Sequence, residues 1–515
     1  MLSGKESITD NVSQAGITLG VKTGLYLISL LLIWNCSVNK LTAQSTSEEF
    51  TTSLNEQIPG WMNRYDIPGV TLALIRQGEV IWSNAFGYAD IEQGIRMTTD
   101  TVCRVESISK SVTALGVMRL AEMGEIELGD PVHRYLTSWE FPESDFDTER
   151  VTIRHLLSHS SGLPLGTIGL EYSPGEEKPS LRESLTREVH LVQEPCKSFI
   201  YSNVGFNLLE MLIEDVSGRS FVDFMEEEIL LPLGMHNSSY KWREDFSTSV
   251  PNGHKLNGEP VSVYVYSEKA AGGLFASTED IARFVATGML GEFYFAENVL
   301  SQSSINELYT PVIEVGNIYA FVSEHYGLGH FIETLPDGQT AVFSGGQGNG
   351  WMTHFHLVPA TGDGIVILTN SSRSWPLISH ILSDWAEWNG LGSVGMGIIT
   401  KAITGLWVFI GLIIAGSFFQ MIRIIRDLIQ GKRTFDLHIN KYSVVQYVQL
   451  ALFVTLLSIL IWSVTREYLM ITSVFPGVSD WFILSLWFLA FVLLISVLLS
   501  KESDLINSHT NTEDM

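Results

Sequence analysis

Long apolar runs and short alternating ones divide this chain into parts of different character. Towards the C-terminus three stretches, about residues 402–422, 444–464 and 481–499, are apolar almost throughout. Each approaches the roughly 20 residues that a helix needs to cross a bilayer. Near the start, Lys22 precedes "LYLISLLLIW", Leu25 to Trp34, a run with the length of the apolar core of a secretion signal. "KLTAQS" then offers a cleavage site around Ala43, but Leu41 is large for the small-residue pattern, so a cleaved signal peptide and an uncleaved N-terminal anchor both fit. Asn35 before Cys36 argues against a lipoprotein site.

Between the two ends the apolar period shortens. "GVTLALIRQGEVIWSNAFGYAD" reads as a β-hairpin, two β-rich runs around Gln77-Gly78. From Thr152 to about Met235 the pattern is helical, as in "NLLEMLIEDVSG", which ends on the C-cap signal Gly218. "STEDIARFVATGML" predicts a capping box of Ser277 with Asp280, then a helix. Strands return with "TAVFSGGQGNGWMTHFHLVP" and "GDGIVILTN", and "DWAEW" belongs to a closing helix. Strands at both ends with helices between them predict an α+β domain, an antiparallel sheet assembled from both ends around an inserted helical region. The expected division is a signal or anchor at 1–43, this domain at 44–390, three membrane helices within 398–500, and a cytoplasmic tail at 501–515.

Charge orients the apolar part. The first linker between spans carries Arg423, Arg426, Lys432, Arg433 and Lys441, whereas the second has little basic character past Arg466. By the positive-inside rule the first linker is cytoplasmic, which places the segment before residue 402 outside, in agreement with an exported N-terminal part. The expected location is therefore a multi-pass membrane protein with an extracytoplasmic domain. The spans hold almost no ionisable side chains, so they read as an anchor rather than a transport path.

Over the whole chain 31 Lys and Arg face 57 Asp and Glu, a formal charge of −26, which repels phosphate backbones and excludes a nucleic-acid partner. Three cysteines, Cys36, Cys103 and Cys196, make no disulfide framework, and whether Cys103 pairs with Cys196 is a question of geometry.

The candidate chemistry begins at "RVESISKS", Arg104 to Ser111. Lys110 stands three residues after Ser107 at the start of a long apolar helix, where it can lean back to the serine hydroxyl. A desolvated lysine loses proton affinity and can activate a serine, which is a weak nucleophile alone. The plain alternative is that Ser107 caps the helix while Lys110 snorkels to solvent. A second motif, Tyr201-Ser202-Asn203, offers a phenol and an amide, and the alternative there is a tyrosine bonded in the core. The third, "FSGGQGNGW", Phe343 to Trp351, offers glycines that let a strand edge approach a ligand and backbone N–H groups for an oxyanion, or else an ordinary turn. His155 and His159, four apart, have no third ligand to make a metal site, and His354 and His356 share a strand face, packed or solvated.

Together these motifs resemble the serine β-lactamase and penicillin-binding protein superfamily, in its class C β-lactamase-related branch of peptidases and esterases. "TIRHLLSHSSGLP", "PLGM" and "AAGGL" agree, and the resemblance covers nearly all of the exported part but not the C-terminal helices. It implies an acyl-enzyme on Ser107 without metal or cofactor, Lys110 and Tyr201 handling the proton, and Asn203 orienting substrate and Lys110. The backbone N–H groups of Ser107 and Gln347 would make the oxyanion hole beside Gly346. One element departs: Ser344-Gly345-Gly346 stands where relatives carry Lys-Thr-Gly or His-x-Gly. Ser344 supplies a hydroxyl in place of a cation that grips carboxylates, which weakens the expectation of β-lactamase or carboxypeptidase activity. The expected substrate is a small molecule or peptide carrying an amide or ester. The alternative is a non-catalytic penicillin-binding-type receptor for wall fragments, and oligomeric state is unspecified.

Overall fold

The computed structural model describes residues 46–501 apart from 168–169, 249, 295–297, 436–441 and 466–469. The expected signal or anchor at 1–43, Lys441, Arg466 and the tail past Lys501 lie outside the described residues.

Helix α1 (Ser47–Tyr65) leads into the hairpin β1 (Gly69–Arg76) and β2 (Glu79–Asp90). Its turn residues Gln77 and Gly78 both have left-handed φ, 53° and 76°, as a two-residue turn between right-twisted strands requires. The short β3 (Ile95–Arg96) follows, then α2 (Ile108–Glu122). The inserted helical region contains α3 (Ile153–Leu157), α4 (Leu181–Glu188), α5 (Asn203–Ser217) and α6 (Phe221–Met225). Gly218 ends α5 in the left-handed conformation, as its sequence predicts.

After α7 (Thr278–Thr287) come β4 (Ile313–Glu314), β5 (His325–Tyr326), β6 (Phe331–Thr334), β7 (Thr340–Gly348), β8 (Trp351–Val358), β9 (Asp363–Thr369) and the closing helix α8 (Trp375–Trp388). The strands form one antiparallel sheet in the order β3-β2-β1-β9-β8-β7-β6-β5-β4. Late β9 pairs with early β1, Val70 opposite Thr369, so both ends of the domain build one sheet. Strand β1 is buried along nearly its whole length because it lies between β2 and β9 and is covered on both faces. On one face, α1 and α8 stack through Trp61 on His380 at 5.0 Å, and Trp385 of α8 meets His356 of β8. On the other, α2 lies against β7 and β8, and Phe284 of α7 packs on Phe355.

Two details, the capping box and the extent of the first apolar helix, differ from the sequence expectation, and two questions it left open are decided. Ser277 does accept the Asp280 N–H, but the Asp280 carboxylate turns away to Asn237 N and Ser238 Oγ, so the capping box is only half formed. Cys103 is buried beside Ala276 and Cys196 is exposed on a left-handed turn, and both are free thiols. His354 and His356 are fully packed, His354 against Phe343 and His356 against Phe343 and Trp385, rather than solvated. The first apolar helix, α9, runs from Ile398 to Ile429 and takes in Arg423 and Arg426, which the linker was expected to hold. Nothing in that stretch stops a helix until Gly431, at φ 65°.

The other long apolar helices are α10 (Val444–Val464) and α12 (Val478–Leu498), with the short α11 (Met470–Val474) between them. All three long helices are long and apolar enough to cross a membrane. Arg433–Phe435 pairs with Leu499–Lys501, which ties the end of α9 to the end of α12 on one side.

Candidate active site

Ser107 occupies the N-cap of α2 but makes no capping hydrogen bond. Its Oγ instead accepts from Lys110 Nζ at 3.1 Å. Lys110 is 1% exposed, so it does not snorkel to water, and its ammonium also donates to Ala271 O at 2.6 Å. Burial pulls its pKa down to about 7, against the opposing pull of the Glu106 carboxylate. The faces of Tyr201 and Phe206 complete the pocket, with ring centroids 5.1 and 5.8 Å from Nζ.

Tyr201 enters from the loop before α5, and its hydroxyl is hydrogen-bonded with Ser107. Burial chiefly, and then Tyr319, pushes the phenol well above its ordinary pKa, while the Ser107 bond acts in the other direction. Tyr319 stacks on its ring at 5.4 Å, and His159 lies at 4.2 Å. Burial and the nearby Lys110 hold His159 well below the usual histidine pKa, so it stays neutral and its Nδ1 accepts the N–H of Ser202 at 3.1 Å. That bond fixes the main chain next to Tyr201. Asn203 begins α5, its N–H bonded to Leu165 O, and its amide is not among the partners of Lys110. The Ala271 carbonyl takes that place.

The third motif lies along β7. Pairing with β6 runs only from Thr340 to Phe343, so residues 344–348 have no strand on that side and form an open edge. Here glycine is required by close approach. A Cβ on Gly346 would lie 2.2 Å from Val105 O, and one on Gly348 would lie 2.3 Å from Glu106 Cδ. The edge is thereby drawn against the residues just before Ser107. Ser344 is buried on the same strand. The Gln347 side chain accepts from Trp375 Nε1 at 2.9 Å and donates to Ser473 Oγ at 3.2 Å.

The sequence motifs passed over the residue beside Ser107. Glu106 is buried with a left-handed φ of 51°, a conformation that costs a non-glycine residue free energy. Its carboxylate accepts from Arg104 Nε at 2.8 Å and from the hydroxyls of Tyr264 and Tyr266 at 3.1 and 3.0 Å. Arg104, fully buried, also reaches the carbonyls of Tyr264 and Gly272 and lies over both tyrosine rings. Every strong charge in this group is paired, which is what its burial demands. The only sequence signal was the Arg-x-Glu spacing of Arg104 and Glu106 just before Ser107. Among the described residues no three His, Cys, Asp or Glu side chains are grouped to hold a metal ion. A serine hydroxyl beside a buried lysine, a phenol and an open strand edge is an arrangement suited to acyl transfer.

Comparison with known proteins agrees with this geometry. Residues 53–380 match the family described as Beta-lactamase. Protein flp of Staphylococcus aureus (strain MRSA252) is 25% identical over 324 residues, 61% of this chain and 62% of that protein. Penicillin-binding protein 4* of Bacillus subtilis (strain 168) is 27% identical over 307 residues, 55% of this chain and 64% of the relative. The match thus spans less than two thirds of either relative. A class C β-lactamase structure superposes with a TM-score of 0.56 at 21% identity, over 67% of this chain and 98% of its own, a likeness of fold alone. On the matched residues, which run from α1 into α8 and include all three motifs, the chain belongs to the β-lactamase family.

Proposed function

We propose that this chain is a membrane-anchored serine hydrolase that forms an acyl-enzyme on Ser107, with its catalytic domain outside the cytoplasm. The observation that carries the reading is Lys110 Nζ, buried and 3.1 Å from Ser107 Oγ, with a proton affinity brought to about neutrality. A receptor that only binds has no use for such a base.

In the mechanism Lys110 takes the proton from Ser107 Oγ as that oxygen bonds to the substrate carbonyl carbon. Tyr201, held above its ordinary pKa, stays protonated and passes a proton rather than serving as the resting base. The backbone N–H groups of Ser107 and of Gln347 on the open edge receive the oxyanion, helped by the positive end of α2. The bond to the leaving group breaks as that group takes up the proton, and water then releases the acyl group by the reverse sequence. Asn203 and Gly346 border the substrate. Ser344, with no charge, favours uncharged acyl donors over carboxylates, so peptide, amide or ester substrates of that kind fit best.

A fluorophosphonate probe on the purified full chain tests the reading, with a fluorescent penicillin in parallel. Covalent fluorophosphonate labelling is expected in the natural protein and none in Ser107→Ala. Labelling that persists in Ser107→Ala, or is absent from both, would overturn it.

A further inference from the structure

Two segments at the border of the candidate active site are joined to the membrane helices. The first is α11, between the second and third long helices. Ser473 in it is fully buried and accepts from Gln347, whose backbone N–H lies on the open edge of β7. The same glutamine amide is held by Trp375, and Trp375 also covers Gly345, where a Cβ would meet its ring at 2.9 Å. The second segment is the turn Asn317–Phe321. Its Tyr319 stacks on Tyr201, and next to it the carbonyl oxygen of Val322 lies 2.2 Å from where a Cβ of Gly395 would be. Gly395 begins the first membrane-length span.

The join is stiff. The Gly395 N–H donates to Glu333 Oε2 at 2.6 Å, and Ser379 Oγ donates to Met396 O at 2.8 Å, so the span starts from the domain itself and not from a free linker. On the turn, Phe321 is 71% exposed and Ile318 42%. Large apolar side chains gathered on one short turn mark a surface that meets something apolar. Here the turn lies against Gly395, the first residue of the first membrane-length span.

We propose, on the basis of the hydrolase and anchor readings above, that the cleft at Ser107 opens at the membrane surface and takes amphiphilic acyl donors held in the adjoining leaflet. The turn Asn317–Val322 and α11 form its mouth. The lipid tail stays among the apolar side chains at the interface, and the carbonyl carbon alone rises to Ser107. The membrane helices thereby help to select the substrate.

The test uses the full chain reconstituted in phosphatidylcholine vesicles and two fluorophosphonates with one reactive group, carrying a hexadecyl or a short polyethylene glycol tail. The hexadecyl probe is expected to label Ser107 faster by about tenfold or more, and Ile318→Ser/Phe321→Ser is expected to cut that ratio at least fivefold. Simple enrichment of the probe in the bilayer would leave the ratio equal in both proteins, and an equal ratio overturns the proposal. A second reading is independent of the variant's folding. A polarity-sensitive dye on Phe321→Cys, in an otherwise cysteine-free background, is expected to be quenched by spin-labelled lipid, and an unquenched dye also overturns it. Failure of the hydrolase reading shows separately, as no labelling of Ser107 by the soluble probe.

Discussion

Lys110 and Glu106 act on the same proton from opposite sides. Burial brings Lys110 to about 7, and the Glu106 carboxylate resists that shift because an opposite charge favours the ammonium form. In the proposed mechanism Lys110 acts only when neutral, so kcat/KM is expected to rise with pH through about 7 and to fall roughly tenfold per unit below it. Glu106→Gln keeps an acceptor for Arg104 but removes the charge, so Lys110 should lose its proton more easily and the acidic limb should move to lower pH. A pH–rate profile decides this. A purely structural role for Glu106 would lower the plateau and leave the limb where it is. The same loss of charge leaves Arg104 as a buried cation without its partner, so Glu106→Gln is also expected to cost about 3–5 kcal/mol of stability, and the profile is read at a temperature where the variant is still folded.

At the scale of elements, β7 and the residues that lead into α2 meet without room for a methyl group. Gly348→Ala puts a carbon 2.3 Å from Glu106 Cδ and must displace the carboxylate from Arg104, Tyr264 and Tyr266. A loss of about 1–3 kcal/mol is expected, with a lower Tm. Gly60 in α1 is the control, because nothing lies within 4 Å of its missing Cβ. Gly60→Ala is expected to stabilise the helix by up to about 1 kcal/mol. Thermal unfolding of the two variants should move in opposite directions, and equal shifts would mean that close approach is not what glycine supplies on β7.

At the scale of the molecule, the ribbon joining the ends of α9 and α12 carries Arg433, with Arg426 and Lys432 close by in the chain, while α11 adjoins the catalytic sheet. Basic residues gather at the end away from the candidate active site, the end that the positive-inside rule would put in the cytoplasm under the orientation proposed above. Thr434 is exposed on that ribbon. In a cysteine-free background, Thr434→Cys is expected to resist a membrane-impermeant thiol reagent in intact cells and to react after lysis. Fast reaction in intact cells would reverse the orientation and place the catalytic domain inside.

Much of this was legible in the residues because it is local. A turn of helix brings Ser107 and Lys110 together whatever the rest of the chain does, an alternating run around Gln77-Gly78 makes a hairpin, and 20 or so apolar residues make a membrane-length helix. Strands at both ends of the domain already implied a sheet closed between first and last. What only the tertiary structure decided depends on residues far apart in sequence. Ala271 brings its carbonyl to Lys110, Tyr319 stacks on Tyr201, and Tyr264 and Tyr266 supply the hydroxyls that make a carboxylate bearable beside Ser107. No periodicity records such meetings, since each is set by how the helical insertion and the late strands fold over α2. The same holds for the free cysteines and for Gln347 meeting Ser473. Free energies of burial and pairing act across the folded chain, and a linear pattern carries only the part of them that falls within a few turns.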